Sequence, residues 1–370
     1  MKLLIVNSVC GIGSTGRIGV DIADDYERQG WEVKFAYGRD AYVPEHCRKW
    51  AVRIGSGLSV KLHGILTRLF DWHGTGLCSR IATKRFLKWV EEWNPDMVWL
   101  HNLHGYYINY ELLFAWIKHH PEMEVRWTLH DCWAFTGHCA YFTFANCDKW
   151  KTCCYGCPEK RAYPATFGFS SAKANWAKKR MAFCGVKNMR LITPSKWLAD
   201  LTRRSFLKEY PVEVVHNTID LSVFKPTSSS FKDKMGLLGR TVILGIANVW
   251  DRRKGLHDFL ELRKLLDSRF VIVLVGLTEK QIMKLPSGII GMARTNSALE
   301  LAEIYSAADW LFNPTYEDNY PTVNLEARAC GCKIATYDTG GASETVEGYD
   351  KALVLKGANR SPEGFVRNMS

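Results

Sequence analysis

The 370-residue sequence has no long hydrophobic run. Its longest purely apolar stretches, such as Phe270–Val275, have the length of a β-strand and are too short to span a bilayer. The opening MKLLIVNSVC holds only four apolar residues in a row, Leu3 to Val6, before Asn7, Ser8 and a glycine-rich turn. It reads as a buried first strand and not as a signal peptide, which predicts a cytoplasmic protein. Acidic residues are scarce beside basic ones: 38 Asp and Glu against 49 Lys and Arg leave a net charge of +11. Such a balance predicts attraction to something anionic, and nucleic acid, anionic lipid and phosphorylated substrates all fit. No nucleic-acid-binding motif or aromatic-basic strand pattern is present, which argues against the first of these. Disorder is excluded by 47% hydrophobic and 24% charged residues.

What is present is an alternation of short apolar runs and helical patterns. KLLIV, WEVKFAY, MVWLH, EVRWTLHD and MRLITPS read as strands with helices between them, including Ile18–Arg28 and Ser79–Glu92. After a Pro/Ser-bearing stretch the rhythm resumes with TVILGIA, FVIVLVG, GIIGMA, WLFNP and KIATYD. The expected class is α/β with two Rossmann-like doubly wound domains, facing one another across a cleft at the strand ends where open sheets bind ligands. The expected boundaries are a first domain at 1–212 with a cysteine-rich insert at about 132–158, a linker at 213–235, and a second domain at 236–370.

The most informative segment runs from Asn313-Pro314-Thr315-Tyr316-Glu317-Asp318-Asn319-Tyr320-Pro321-Thr322 through Val323-Asn324-Leu325-Glu326-Ala327-Arg328-Ala329-Cys330-Gly331. A strand ends at Pro314, a polar loop follows, and a helix carrying Glu326 begins. Free N–H groups at a helix start suit a diphosphate, and a carboxylate there accepts hydrogen bonds from ribose hydroxyls. Acidic residues favoured by the helix dipole are the plainer explanation.

This segment resembles the hallmark of the retaining GT-B glycosyltransferases known as family 4. That hallmark is a strand ending in Pro-Ser/Thr, two acids in fixed spacing, then a Glu-Ala-x-Ala-Cys-Gly helix. The resemblance extends to Leu301–Asp309, to Thr339-Gly340-Gly341-Ala342-Ser343-Glu344, to Thr193-Pro194-Ser195 and to Val215–Asp220. It implies a GT-B fold and transfer of a sugar from a nucleotide-diphosphate sugar to a saccharide or lipid-linked acceptor. Within the family the resemblance is to bacterial exopolysaccharide and colanic-acid assembly enzymes. Glu326 would hold the donor ribose and Asp318 the sugar hydroxyls. Asp318 stands where most members have Glu, and its neighbour Glu317 is the alternative. Asn319, Tyr320 and Thr322 complete that loop. In Asp251-Arg252-Arg253-Lys254-Gly255, Lys254 matches the family's phosphate-binding Lys, while Asn248 stands where an Arg is expected, leaving Arg252 or Arg253 to take its place. Cations there stabilise a departing diphosphate.

By the same resemblance the Gly13-Ser14-Thr15-Gly16 loop closes over the donor from the first domain. Its glycines also resemble a dehydrogenase fingerprint, for which Asp40 is a poorly placed acid. His130, at the end of LHD, is implied to hydrogen-bond the donor sugar near the reacting carbon, with His101, Asn102 and His104 on the acceptor side. The chain contains no Asp-x-Asp triplet, which favours cationic side chains over a divalent metal at the diphosphate. No cofactor is expected for catalysis, since the nucleotide sugar is itself the donor. Family members commonly finish on a long helix that returns to the first domain, and a sequence ending at Ser370 would shorten or omit it. A nucleotide-sugar epimerase or hydrolase of the same fold, and a basic nucleic-acid-binding protein, are the alternatives.

Six of the twelve cysteines fall between Cys132 and Cys157. Cys139, Cys147, Cys154 and Cys157 run as C-x7-C-x6-C-x2-C, a spacing that suits a structural zinc; reduced thiols and disulfides are the other readings. The helix expected over Ser171–Phe183 sets Lys173, Lys178, Lys179 and Arg180 around Trp176 and Phe183. It reads either as a peripheral contact with an anionic membrane or as an ordinary solvated helix.

Overall fold

The computed structural model describes residues 1–39 and 42–369, so Asp40 lies outside the described residues. The chain divides into two compact units, Met1–His216 and Asn217–Ser370.

The first unit holds seven strands: β1 (Lys2–Val6), β2 (Glu32–Tyr37), β3 (Ala51–Arg53), β4 (Met97–Leu100), β5 (Glu124–Thr128), β6 (Met189–Thr193) and β7 (Val212–Val214). Its helices are α1 (Gly13–Arg28), α2 (Gly57–Phe70), α3 (Arg80–Trp93), α4 (Tyr110–Lys118), α5 (Ala172–Phe183) and α6 (Lys196–Arg203). The strands form one sheet in the order β3-β2-β1-β4-β5-β6-β7. β1 pairs in parallel with β2 and β4, Leu3 lying opposite Val33 on one side and Met97 on the other. Leu3, Leu4, Ile5 and Val6 are all buried, which explains a continuous apolar run in place of alternation: both faces of a parallel sheet are covered.

The second unit repeats the plan with β8 (Thr241–Ile246), β9 (Phe270–Val275), β10 (Ile289–Met292), β11 (Trp310–Asn313), β12 (Lys333–Tyr337) and β13 (Ala352–Leu355). Its helices are α7 (Phe231–Lys234), α8 (Leu256–Leu265), α9 (Glu279–Ile282), α10 (Ala298–Ala307), α11 (Thr322–Ala329) and α12 (Pro362–Asn368). The sheet order is β10-β9-β8-β11-β12-β13, all parallel. In both units the strand order reverses beside the first strand, and in such sheets that switch point is where ligands bind.

Three details differ from the expectations above. The stretch 213–235 does not stand apart as a linker: β7 ends the first sheet at Val214, and Phe224 and Phe231 are buried in the second unit's core. Gly13-Ser14-Thr15-Gly16 is the first turn of α1 and not a free loop. Gly16 allows the turn to fold back, since a Cβ there would lie 3.2 Å from the Gly11 nitrogen. Finally, α5 does not offer its aromatic residues to a membrane. Trp176, Lys179 and Phe183 share one helical face, and that face packs inward with all three buried. Lys179 donates to the carbonyls of Trp133 (2.6 Å) and Thr136 (3.0 Å). A buried ammonium is tolerable only with such partners.

Candidate active site

In the second unit the site is built where β8 and β11 end. Beyond β8, Asp251 caps a short helical turn, its carboxylate accepting the Lys254 N–H at 3.1 Å. Gly255 ends the turn at φ +72°, and a Cβ there would lie 2.4 Å from the Pro314 carbonyl. Glycine thus lets the basic turn press against the loop after β11. Two hydrogen bonds clamp the contact: Tyr316 N–H to the Arg253 carbonyl at 2.8 Å, and the Arg253 guanidinium to the Glu317 carbonyl at 2.7 Å.

The clamp brings Lys254 Nζ into a hydrogen-bonded ion pair with Asp318, with Arg253 3.9 Å from the same carboxylate oxygen. Burial pushes the Asp318 carboxyl up, but Lys254 and Arg253 outweigh it and hold the group below the ordinary carboxylate range. Asp318 keeps part of its side chain open, whereas Glu317 is fully buried. Among the two candidate cations, Arg253 faces Asp318 and Arg252 is exposed. Asn248 is exposed, and the Arg294 guanidinium, just past β10, donates to its Oδ1 at 3.4 Å. Arg294 has no motif around it, so sequence alone gives no signal for it.

The loop continues through Asn319, whose N–H donates to Asp318 at 2.9 Å, and the buried Tyr320, into α11 at Thr322. No side chain caps the start of α11, so its first N–H groups offer donors to an anion. Glu326 lies one turn in and is buried, with Oε2 accepting the hydroxyl of the fully buried Tyr305 at 2.9 Å. Gly340, at φ +59°, brings the turn after β12 against Asp318: Gly341 N–H donates to the Asp318 carbonyl at 2.9 Å.

In the first unit, Gly13 and Ser14 are exposed, Thr15 is partly so, and Gly16 is buried. His130, past the end of β5, stacks on His101 with ring centroids 5.2 Å apart, its Nε2 2.9 Å from His101 Nδ1. Burial pulls the His130 pKa down to about 4, against an opposing pull from Asp131. It is therefore a neutral hydrogen-bonding group at neutral pH and not a cation. His104 lies 2.8 Å from Asp131 through Nε2 and 3.0 Å from the Tyr163 hydroxyl through Nδ1. Tyr163 is the member of this cluster that the sequence does not point to.

The cysteine insert converges on one small pocket lined by Cys139, Cys147, Cys154 and Cys157. Cys139 and Cys157 bring their sulfurs to 4.0 Å, and Cys154 accepts the Gly137 N–H at 3.1 Å. Among the described residues, no two cysteines are joined by a disulfide. Tetrahedral zinc bonded to sulfur at about 2.3 Å separates its ligands by about 3.8 Å, which the Cys139–Cys157 pair approaches; among the described residues, however, the potential metal ligands that meet in a group of three are Asp71, His73 and His138 and not the four cysteines. A second cluster, unforeseen from spacing, lies beside it. Asp71 Oδ1 stands 2.6 Å from both His73 Nε2 and His138 Nδ1, all three residues buried. Burial pushes the Asp71 carboxyl up, and the two imidazoles more than reverse this, so it stays ionised. The cluster ties the insert to the end of α2.

Two parallel Rossmann-like units of this kind, each with its polar residues at the strand ends, define the GT-B fold. The whole chain is similar in structure to sucrose-phosphate synthase from Thermosynechococcus elongatus, with a TM-score of 0.70 and 14% identity over 99% of this chain and 90% of that one. It is likewise similar to Anabaena Alr3699/HepE in complex with UDP, with a TM-score of 0.64 and 14% identity over 100% and 91% of the two chains. Residues 240–370, which carry the basic turn, the acidic loop and α11, match the family described as Glycosyl transferases group 1. A putative colanic acid biosynthesis glycosyl transferase, WcaC of Escherichia coli (strain K12), is 31% identical over 134 residues, 35% of this chain and 32% of that one. The chain spans 32%, 41% and 53% of the length of three of the curated relatives it matches. Among the described residues, no helix is long and apolar enough to cross a membrane.

Proposed function

We propose that this protein is a cytoplasmic glycosyltransferase. It moves a sugar from a nucleotide-diphosphate donor to a saccharide or lipid-linked saccharide, with retention at the anomeric carbon, in cell-surface polysaccharide or glycolipid assembly. The observation that carries the reading is the Lys254–Asp318 pair at the ends of β8 and β11, beside the uncapped start of α11. Lys254 and Arg253 neutralise charge as it grows on the leaving diphosphate, with Arg294 beside Asn248 as a further cation. The first N–H groups of α11, from Thr322 onward, receive phosphate oxygens, and Glu326 accepts from the ribose hydroxyls. Asp318, with Asn319 and Tyr320 beside it, orients the sugar hydroxyls. Neutral His130 and the Gly13–Gly16 turn are the first unit's contribution to the donor sugar. In this reading the acceptor hydroxyl attacks on the face from which the diphosphate leaves, and a membrane surface supplies the lipid-linked acceptor.

The reading includes one structural zinc held by Cys139, Cys147, Cys154 and Cys157. Four sulfurs leave no open position for chemistry, so the ion's part is to close the insert. The 4.0 Å sulfur–sulfur distance supports it.

A thermal-shift screen with UDP-, GDP-, ADP- and dTDP-sugars tests the central claim on wild type and Lys254→Ala. A nucleotide that binds only the folded state at a hundredfold excess over its Kd adds about 2.7 kcal/mol of stability. One nucleotide family should stabilise wild type and shift the variant much less. No stabilisation by any of them in folded protein would refute the donor site. Donor breakdown at an equal rate with and without acceptor would instead favour a hydrolase.

A further inference from the structure

The polar cluster beyond β4 and β5 has a direction built into its hydrogen bonds. Asp131 Oδ1 accepts the Trp133 N–H at 2.9 Å, and its Oδ2 lies 2.8 Å from His104 Nε2. Burial pushes the Asp131 carboxyl up, but His104 and the Trp133 N–H more than reverse this, so the group is ionised and can only accept. The His104 ring proton therefore sits on Nε2, and Nδ1, 3.0 Å from the Tyr163 hydroxyl, is left as an acceptor. Tyr163 fills it by donating. The phenol oxygen, its proton spent, meets the Arg39 guanidinium at 3.5 Å and presents lone pairs alone. A phosphate or carboxylate oxygen has no proton to offer such a group, whereas a sugar hydroxyl has one.

The cysteine insert delivers this hydroxyl to an aromatic cup. Tyr163 comes just after the insert's last cysteine, and 38% of it is exposed. Its ring lies edge-on to Tyr106, with centroids 6.4 Å apart. Arg39 spans the pair, its guanidinium carbon 5.8 Å from the Tyr163 ring centre and 6.0 Å from that of Tyr106. Tyr106 sits at φ +68°, in the left-handed region that bulky side chains avoid. A ring held there against the backbone's preference points to a use for the ring. His104, Gly105, Tyr106 and Pro164 line a small cavity beside it.

We propose that Tyr163 binds the acceptor saccharide, its oxygen accepting a hydrogen bond from a sugar hydroxyl while Tyr106 covers a face of the sugar ring. Asp131 and His104 are positioning residues: they hold the phenol proton inward and so keep the lone pairs outward. Asp131 directly follows His130, which puts the donor-sugar residue and the acceptor cup at one strand end. Assignment of the sugar as acceptor rests on the transfer reading above; the binding of a sugar by this cup does not.

Titration of the full chain with the methyl glycosides of glucose, galactose, mannose and N-acetylglucosamine, followed by saturation-transfer NMR, tests it. At least one should bind wild type, and Tyr163→Phe should weaken it by about two- to tenfold, the worth of one neutral hydrogen bond. Tyr106→Gly should abolish binding without lowering the melting temperature, since the relieved backbone offsets the lost ring contacts. Lys254→Ala, in the other unit, should leave glycoside binding unchanged. Nitrogen NMR of isotope-labelled histidine should show His104, located through His104→Gln, with its proton on Nε2 alone. Asp131→Asn should mix the two His104 tautomers and weaken the glycoside, which a purely structural role for the pair would not do. A proton on His104 Nδ1, absence of glycoside binding, or binding indifferent to Tyr163→Phe would each overturn the proposal. If a nucleotide raises the melting temperature while no glycoside depends on Tyr163, the cup falls alone. If a glycoside binds through Tyr163 and no nucleotide binds, the cup stands as a sugar site and the transfer reading falls.

Discussion

Glu326 is asked to do two jobs, and they separate by substitution. Its Oε2 accepts the hydroxyl of Tyr305, a side chain with no exposure. Glu326→Ala leaves that hydroxyl buried without this partner, which costs about 1–3 kcal/mol. For a unit of this size a loss of about 2 kcal/mol lowers Tm by roughly 4–8 °C. Glu326→Gln keeps an acceptor and should cost under about 1 kcal/mol. Tyr305→Phe removes the donor, so Glu326→Ala should cost little more once Tyr305→Phe is present. Nucleotide binding should follow a different order. A carboxylate accepting ribose hydroxyls contributes about 1.5–3 kcal/mol, so Glu326→Ala should weaken the Kd by roughly 10- to 150-fold. Glu326→Gln should weaken it by an intermediate factor, and Tyr305→Phe should leave it nearly unchanged. Urea melts and calorimetric titration with UDP and GDP read the two quantities separately. If Glu326→Ala folds and binds nucleotide within about twofold of wild type, the ribose assignment is refuted, whatever happens to stability.

Three further outcomes are expected. Gly340→Ala forces a left-handed residue to carry a Cβ 2.0 Å from the Asp318 carbonyl oxygen; it should cost about 2–4 kcal/mol and weaken nucleotide binding, because the displaced residue is Asp318. Asp318 has a depressed folded pKa, so its stabilising contribution is present above about pH 4 and is lost as pH falls through the folded value. The stability gap between wild type and Asp318→Asn should therefore stay flat from neutral pH to about 5 and close in stronger acid, as followed by urea melts. One zinc per chain should be found by elemental analysis, and a chelator should expose four thiols and loosen residues 132–158 in hydrogen exchange; a metal-free chain of equal stability would refute the zinc.

The legible parts of the sequence are those in which pattern and chemistry are local. Leu3 to Val6 is apolar throughout because β1 has neighbours on both edges and cover on both faces. The stretch from Asn313 to Gly331 carries strand end, loop and helix in one readable run, and the basic turn before Gly255 is equally compact. The illegible parts join residues distant along the chain. Asp71 and His138 meet only because the insert folds back on α2. Tyr163 reaches His104 from 59 residues away. Lys179 looks like a surface cation in a basic helix until the Trp133 and Thr136 carbonyls are brought to it. The exposed stripe of Leu58, Leu62, Ile65 and Leu69 on α2 shows why periodicity alone misleads: it marks an apolar face but not whether protein covers it. Arg294 is one arginine among many until Asn248 is placed beside it.

The position of β1 bears on how the chain is made. Lys2–Val6 is synthesised before both of its neighbours, β2 and β4, and its pairing with Met97–Leu100 must wait until that strand has emerged. At about 5–20 residues per second, translation leaves this edge without its second neighbour for roughly 5–20 s. During that time its apolar backbone and side chains are open to any other unpaired strand. Production of this protein should accordingly depend on a ribosome-associated chaperone or on slow expression at low temperature.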